Sequence, residues 1–510
     1  MKLRNSVLLI IFAAMLYANS PFFGVQTHFG QFWRYDMDST SVEQQLDMIK
    51  AAGIEMIRDE CLWSEVEKDS GVYVIPGQVD QYVRSALSRD IDIYMILNYN
   101  NTLYAPSAGS GVTDEVNRVA YAKYCQAVVQ HFSPLGVKHY EIWNEPNHGV
   151  LFWTPQPNAN DYTALLQTAY DSIKAVDTST IVIGCATSPA IGNPAPYIEG
   201  LDFIRDVFAA GGGDYMDAVS FHLYQIAYRP ENELISYLNS VKSYVGEKPI
   251  YLSEFGYPTH DGWPNITLER QAQYINRMFL ICQTDPQVRS AIYYDLKNDG
   301  TVLTEPEHNF GLLEFDKEPK LSYLALKQYI SETRAQRPVD SKIENDIYFL
   351  TYFDTLSIGW IYSGTKNIKY HTGIDYLRIE NMYGDTVEYH MTANDSITLT
   401  LNENPRYCIK QTSSPEVETF NFDHHDYLLY PDEEIKLSYH TADPEGIAII
   451  ADPSCISWSY TGSYGNINGN LFTGSASEDG MIIAELDGKA DTVNVRILED
   501  PSIYTVEDFT

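Results

Sequence analysis

Along residues 23–330, short apolar runs rich in Val, Ile, Phe and Tyr alternate with longer stretches whose apolar positions fall three and four residues apart. The first pattern reads as buried β-strand and the second as amphipathic helix with one face on a core. Eight strands are predicted in this way, at 22–27, 54–58, 91–98, 137–144, 180–187, 217–224, 248–255 and 290–296. Between them, helices are predicted at Val42–Ala52, Glu115–His131, Asp161–Val176, Glu233–Val245 and Leu268–Gln283. A strand every ~30–45 residues is the spacing of βα units that feed a parallel sheet. Eight units in this stretch point to a closed (β/α)8 TIM barrel rather than an open doubly wound sheet. No Gly-rich turn follows the first strand, as a dinucleotide-binding fold requires.

Near Arg334–Pro338 the helical pattern stops. DIYFLTYF, LSIGWIY, YLRIENMY, SITLTL and RYCIK then follow one another, broken by Asn, Asp and Gly, which predicts a β-sandwich domain at 334–412. After Ser413-Ser414-Pro415 a second β-rich block with alternating apolar and polar positions predicts an Ig-like domain at 413–510. At the other end, Lys2 and Arg4 precede the apolar run Val7–Tyr17, which is too short to span a bilayer, and the small residues of Ala18-Asn19-Ser20. Residues 1–20 therefore read as a cleavable signal peptide, leaving a barrel domain at 21–333 and a secreted or periplasmic product without membrane insertion.

A formal net charge of -35 argues against a nucleic-acid partner, since phosphate backbones attract Lys and Arg. It is compatible with a neutral carbohydrate. The six cysteines have no metal-ligand spacing, so no metal site is predicted, and the sequence leaves open whether any are bridged.

Reacting groups in a TIM barrel gather where the strands end. Those ends carry His28, Arg58, Asn98, Asn144 with Glu145, His222 with Tyr224, Glu254, and Tyr294 with Asp295. Two glutamates stand out, one after the fourth strand and one after the seventh, roughly across the ring from each other. Glycosidic bond cleavage needs one carboxyl to protonate the leaving oxygen and a second to stabilise the oxocarbenium-like centre; at ~5–5.5 Å separation the second attacks directly and configuration is retained. Glu145 lies in Trp143-Asn144-Glu145-Pro146-Asn147, where desolvation favours the neutral acid. Arg58 and Tyr224 are candidate neighbours of Glu254 that keep it ionised, as a nucleophile requires. His28 and Asn98 are candidate substrate contacts that serve equally well to close backbone hydrogen bonds. Trp63, Trp153 and Trp263 are candidate sugar-stacking rings, Glu141 reads as a structural partner inside its strand, and the chemistry needs no cofactor.

EIWNEPN, SFHLY and YLSEFGYPT, in that order and at barrel-strand spacing, resemble the clan A retaining glycoside hydrolases. WSEVEKDSGVY, the FW at 152–153, ERQAQYINR, YYDLKNDG and FGLLEFDKEPKLSYLALK place the resemblance closest to family 39 and its relatives. The resemblance implies that Glu145 is the acid/base, Glu254 the nucleophile and Asn144 a ligand of the sugar 2-hydroxyl, with Arg58, His222 and Tyr224 in support. It implies a β-glycosidase acting by double displacement on a polysaccharide or oligosaccharide, either as an exo β-xylosidase or as an endo-glycosidase, which the predicted signal peptide makes a secreted one. The alternative is a catalytically silent carbohydrate-binding protein on the same barrel. One departure touches the sugar-binding floor: where many clan A enzymes have Trp at the end of the eighth strand, this chain has Tyr293-Tyr294.

Overall fold

The computed structural model describes residues 21–31, 38–189, 196–226 and 228–499. The predicted signal peptide lies outside the described residues. The chain divides into two compact units, 1–337 and 338–510.

The first unit is a closed barrel of eight parallel strands in chain order, β1 Phe23–Gln26, β2 Met56–Leu62, β3 Asp92–Asn98, β4 His139–Ile142, β5 Ile181–Thr187, β6 Ala218–His222, β7 Ile250–Phe255 and β8 Val288–Tyr293. Each predicted strand is present. One helix of two turns or more follows each: α1 Ser39–Ala52, α2 Gly77–Leu87, α3 Glu115–Phe132, α4 Ala159–Val176, α5 Gly200–Ala209, α6 Leu234–Val245, α7 Leu268–Thr284 and α8 Leu321–Thr333. Their starts are written locally. Asp38, Asp114, Asn158 and Thr267 stand at N-caps and accept hydrogen bonds from backbone N–H groups of the first turn, each contributing ~1 kcal/mol. Gly53 closes α1 at φ 77°, a conformation that costs a side-chain-bearing residue free energy. The barrel closes where β1 meets β8, and a Cβ on Gly24 would sit 2.7 Å from Ile292 Cγ1.

The second unit is built of strands in mostly antiparallel sheets, as a β-sandwich and Ig-like region requires. One apolar cluster gathers Ile361, Leu377, Ile379, Leu399, Leu401 and Cys408; another gathers Phe420, Phe422, Leu437, Phe472, Ile482, Val493 and Val495. A nine-stranded sheet nevertheless runs through both sequence regions, because the strand Thr386–Met391 pairs in parallel with Ala448–Ala451. All six cysteines are free thiols, five of them buried. Among the described residues no helix is long and apolar enough to cross a membrane.

Candidate active site

Side chains two apart on a strand point the same way, so each barrel strand delivers a ladder of residues to the interior. The lower rung is apolar, with Met56, Tyr94, Ile181, Ile183, Ala218, Tyr251 and Ile292 packed together. Two residues up from Met56 is Arg58, and two up from Ala218 is Ser220. Here the interior turns polar. The guanidinium of Arg58 is fully buried and donates from Nε and Nη2 to Glu141 Oε2 at 2.9 and 2.6 Å. Its remaining N–H groups reach Gln26 Oε1 at 2.7 Å, Glu254 Oε1 at 2.5 Å and Asn144 Oδ1 at 3.0 Å.

One rung higher lie the two glutamates. An oxygen of Glu145 and one of Glu254 lie within 4.8 Å of each other, with His222 between them. His222 Nδ1 is 2.9 Å from Glu145 Oε1 and 3.4 Å from Glu254 Oε2. Tyr224 donates its hydroxyl to Glu254 Oε2 at 2.6 Å. Burial alone would favour the neutral form of Glu254. The charges of His222 and Arg58, with the hydrogen bonds from Tyr224 and Arg58, outweigh it and hold the carboxyl below its ordinary range.

Glu145 is presented by a strained turn. Trp143 and Glu145 take φ of 71° and 47°, in the left-handed region where a side-chain-bearing residue costs ~1–3 kcal/mol. The turn is pinned on every side. Trp143 N donates to Leu97 O and Glu145 N to Ala186 O, both at 3.0 Å, while the Trp143 indole donates to Phe152 O at 2.7 Å. Asn147 donates to Ser188 O and Ile198 O, and accepts from Ser188 N. The residues around Glu145 thus hold it at the surface of the cleft, where it is 9% exposed.

The cleft has a volume of about 850 Å³, and its lining includes His28, Arg58, Asn144, Glu145, Tyr224, Glu254 and Tyr294. Of the residues singled out from sequence, these seven come together there, and His222 lies directly beneath, fully buried between the carboxylates. Asn98 is buried away from the cleft lining and donates to Glu60 Oε1 at 3.4 Å. Burial works against a charge on His28, but Asp295 hydrogen bonding and the charges of Asp299, Asp295 and Glu60 prevail and raise its imidazole to about 9. By distance alone, Glu145–His222–Glu254 and His28–Asp295–Asp299 have ligand atoms close enough to hold a cation. In the first group both oxygens of Glu254 are already bonded to Arg58 and Tyr224.

Two of the three candidate stacking rings are core. Trp63 is fully buried, stacked between Tyr104 and Tyr124, and Trp153 is fully buried against Trp143 and Tyr162. Trp263 is 82% exposed. The rings that do face the cleft include Phe152, Tyr99, Tyr224, Phe310 and Tyr294, with Phe152 stacked on Tyr99 at 5.5 Å and Tyr294 edge-on to Phe310 at 5.4 Å. Sequence reading missed Tyr99, Glu60 and Glu307. Glu60 follows Arg58 by two residues, so strand parity held a signal for it; Tyr99 falls on the opposite parity to Tyr94 and Ile96, and Glu307 lies in a long loop, so neither had one.

The family model described as Cellulase (glycosyl hydrolase family 5) matches residues 16–299. Among solved structures, the chain is similar to a family 39 glycoside hydrolase from the gut symbiont Bacteroides cellulosilyticus WH2, with 25% identity, a TM-score of 0.63 and coverage of 77% of this chain and 81% of that one. A GH39 β-xylosidase from Caulobacter crescentus shares the fold at 15% identity and TM-score 0.54, over 77% of this chain and 97% of that one. A GH5_18 protein from Streptomyces cattleya in complex with GlcNAc does so at 16% identity and TM-score 0.50, over 62% and 82%. No curated protein matches the chain.

Proposed function

This chain belongs to the cellulase family of glycosyl hydrolase family 5, a clan A glycoside hydrolase with family 39 structures among its neighbours, and from that premise we infer that it is a secreted, retaining β-glycosidase. The observation that carries the reading is the separation of Glu145 and Glu254. Carboxyl oxygens within 4.8 Å leave no room for a water between nucleophile and anomeric carbon, which favours direct attack by a carboxylate.

In this reading Glu254, held ionised by Arg58, His222 and Tyr224, attacks the anomeric carbon. Glu145 transfers its proton to the departing glycosidic oxygen as that bond breaks. The product of the first half-reaction is a glycosyl ester on Glu254 and a free alcohol. Glu145, now a carboxylate, takes a proton from water, whose oxygen displaces Glu254 from the sugar and restores the starting protonation states. Asn144, fixed at 3.0 Å from Arg58 Nη2, is the proposed ligand of the 2-hydroxyl. Tyr294 takes the place of a tryptophan floor. His28 is the proposed contact at the far side of the sugar, and Asn98 acts behind Glu60 rather than on substrate. No cofactor enters this chemistry.

The substrate is a carbohydrate. A cleft of about 850 Å³ lies in the upper part of the ~300–1,000 Å³ range of ligand sites, which favours an oligosaccharide or polysaccharide segment over a single sugar. The test is sugar release from a panel of aryl β-glycosides and polysaccharides, comparing wild type with Glu254→Gln. Release that is lost in the variant supports hydrolysis, and the responding substrate separates exo from endo action. Polysaccharide binding without release from any substrate would replace this reading with a silent binding protein.

A further inference from the structure

Arg58 has five N–H groups, and all five are engaged. Two of them go to Glu141, a carboxylate with no exposed surface that the double-displacement steps do not use. Its other oxygen, Oε1, accepts from Tyr94 OH at 2.7 Å and Ser220 Oγ at 2.6 Å. Glu141 is therefore saturated, and one buried cation is shared by two carboxylates, Glu141 on one edge of the guanidinium and Glu254 on another. We propose that Glu141 is a positioning residue that aims the guanidinium of Arg58 at Glu254 and sets how much of its positive charge the nucleophile feels.

This role of Glu141 rests on the retaining-glycosidase reading of Glu254. A guanidinium with a single anionic partner would rotate toward it and neutralise it fully. Clamped from behind by Glu141, Arg58 presents one N–H to Glu254 and keeps part of its field for its other partner. Too strong a cation at Glu254 weakens the nucleophile, and too weak a cation lets the buried carboxyl take up a proton. The groups that act on Glu254 are His222, Arg58, Tyr224, Glu145, Tyr99, Tyr294 and Glu307, and those that act on Glu141 are Arg58, Tyr94, Ser220, Cys185 and Tyr162.

The experiment is the pH dependence of kcat/KM on an aryl β-glycoside for the full chain and for Glu141→Gln, which keeps the shape and removes the charge. The acid limb is expected to move to lower pH by on the order of one unit, the effect of deleting one charge a guanidinium's width away at an effective dielectric constant of ~20. The basic limb is expected to stay in place. Tyr94→Phe removes a donor that shares the charge of Glu141, and its acid limb is expected to move less and in the opposite direction. Should Glu141→Gln not fold, the direction in Tyr94→Phe decides. Acid limbs that stay at the wild-type pH, or that move the other way, overturn the proposal. If wild type turns over no glycoside, the glycosidase reading fails by itself. Glu254 is then titrated directly by carboxyl 13C NMR in glutamate-labelled protein, with Glu254→Gln identifying the signal, and the same displacements are required there.

Discussion

Replacing Arg58 by Met keeps an unbranched side chain in the barrel and leaves Glu141 and Glu254 buried without the cation they share. Removing one partner of a buried ion pair costs about 3–5 kcal/mol, because the remaining charge stays uncompensated. For a unit of 337 residues, an unfolding entropy of ~2.1 cal/mol/K per residue turns this into a fall in Tm of about 4–7 °C. The loss must depend on pH, and its sign follows from Glu254. In wild type this carboxyl lies below its ordinary range, since the charges and hydrogen bonds around it outweigh burial. Its contribution to stability is therefore present above the unfolded value of ~4.3 and is lost as pH falls through the depressed one. Without Arg58 the burial penalty is opposed only by His222 and Tyr224, and protonation of the carboxyls relieves it. The gap between wild type and Arg58→Met is thus expected to be widest near neutral pH and to shrink toward pH ~4. Scanning calorimetry of both proteins across that interval measures it. A gap that stays constant with pH, or one under about 1 °C at neutral pH, would refute the claim that a shared cation carries two buried carboxylates.

Two further outcomes are expected. Glu145→Ala should lose most activity on substrates with poor leaving groups, retain activity on dinitrophenyl glycosides, and with added azide yield a glycosyl azide of unchanged anomeric configuration; an inverted azide would assign the roles of the two glutamates the other way round. His28, raised to about 9 by its carboxylate neighbours against its burial, contributes stability that is complete below ~6.5 and is lost as pH rises through about 9. Melting temperatures of wild type and His28→Gln should therefore converge between pH 6.5 and 9.5, and curves that remain parallel across that range would remove His28 from the alkaline limb of stability.

Much of the barrel is legible locally. Strand and helix periods, N-cap residues and spacing identify eight βα units, because each of these signals is carried by residues close in sequence. The same local rule reaches Tyr224, two residues past β6, and Arg58, predicted at a strand end and found inside β2; both touch Glu254. It fails where the chain breaks its own alternation. Tyr251 belongs to the apolar rung inside the barrel, so strict alternation along β7 would turn Ser253 inward and Glu254 outward. The register shifts in β7, where Phe221 pairs with Leu252 and His222 with Glu254; the extra residue re-aims the strand and brings Glu254 into the cleft. Every residue of β7 is buried, so no pattern of apolar and polar positions marks the bulge.

Aromatic residues show the same division. The sequence by itself determined that aromatics cluster around the Asn-Glu-Pro turn, and FW at 152–153 stands close after it. Only the tertiary packing, with Trp143 and the α4 residue Tyr162 around Trp153 and Tyr99 under Phe152, decided that Trp153 goes into the core and Phe152 into the cleft. Glu141 is the sharpest instance. In sequence it is one acidic residue inside an apolar strand, and its three bonding partners come from β2, β3 and β6, between 47 and 83 residues away. A strand's own period says which way a side chain points. What it meets there depends on other strands: β3 pairs directly with β4, and the curvature of the barrel brings β2 and β6, each two strands away, within hydrogen-bonding reach.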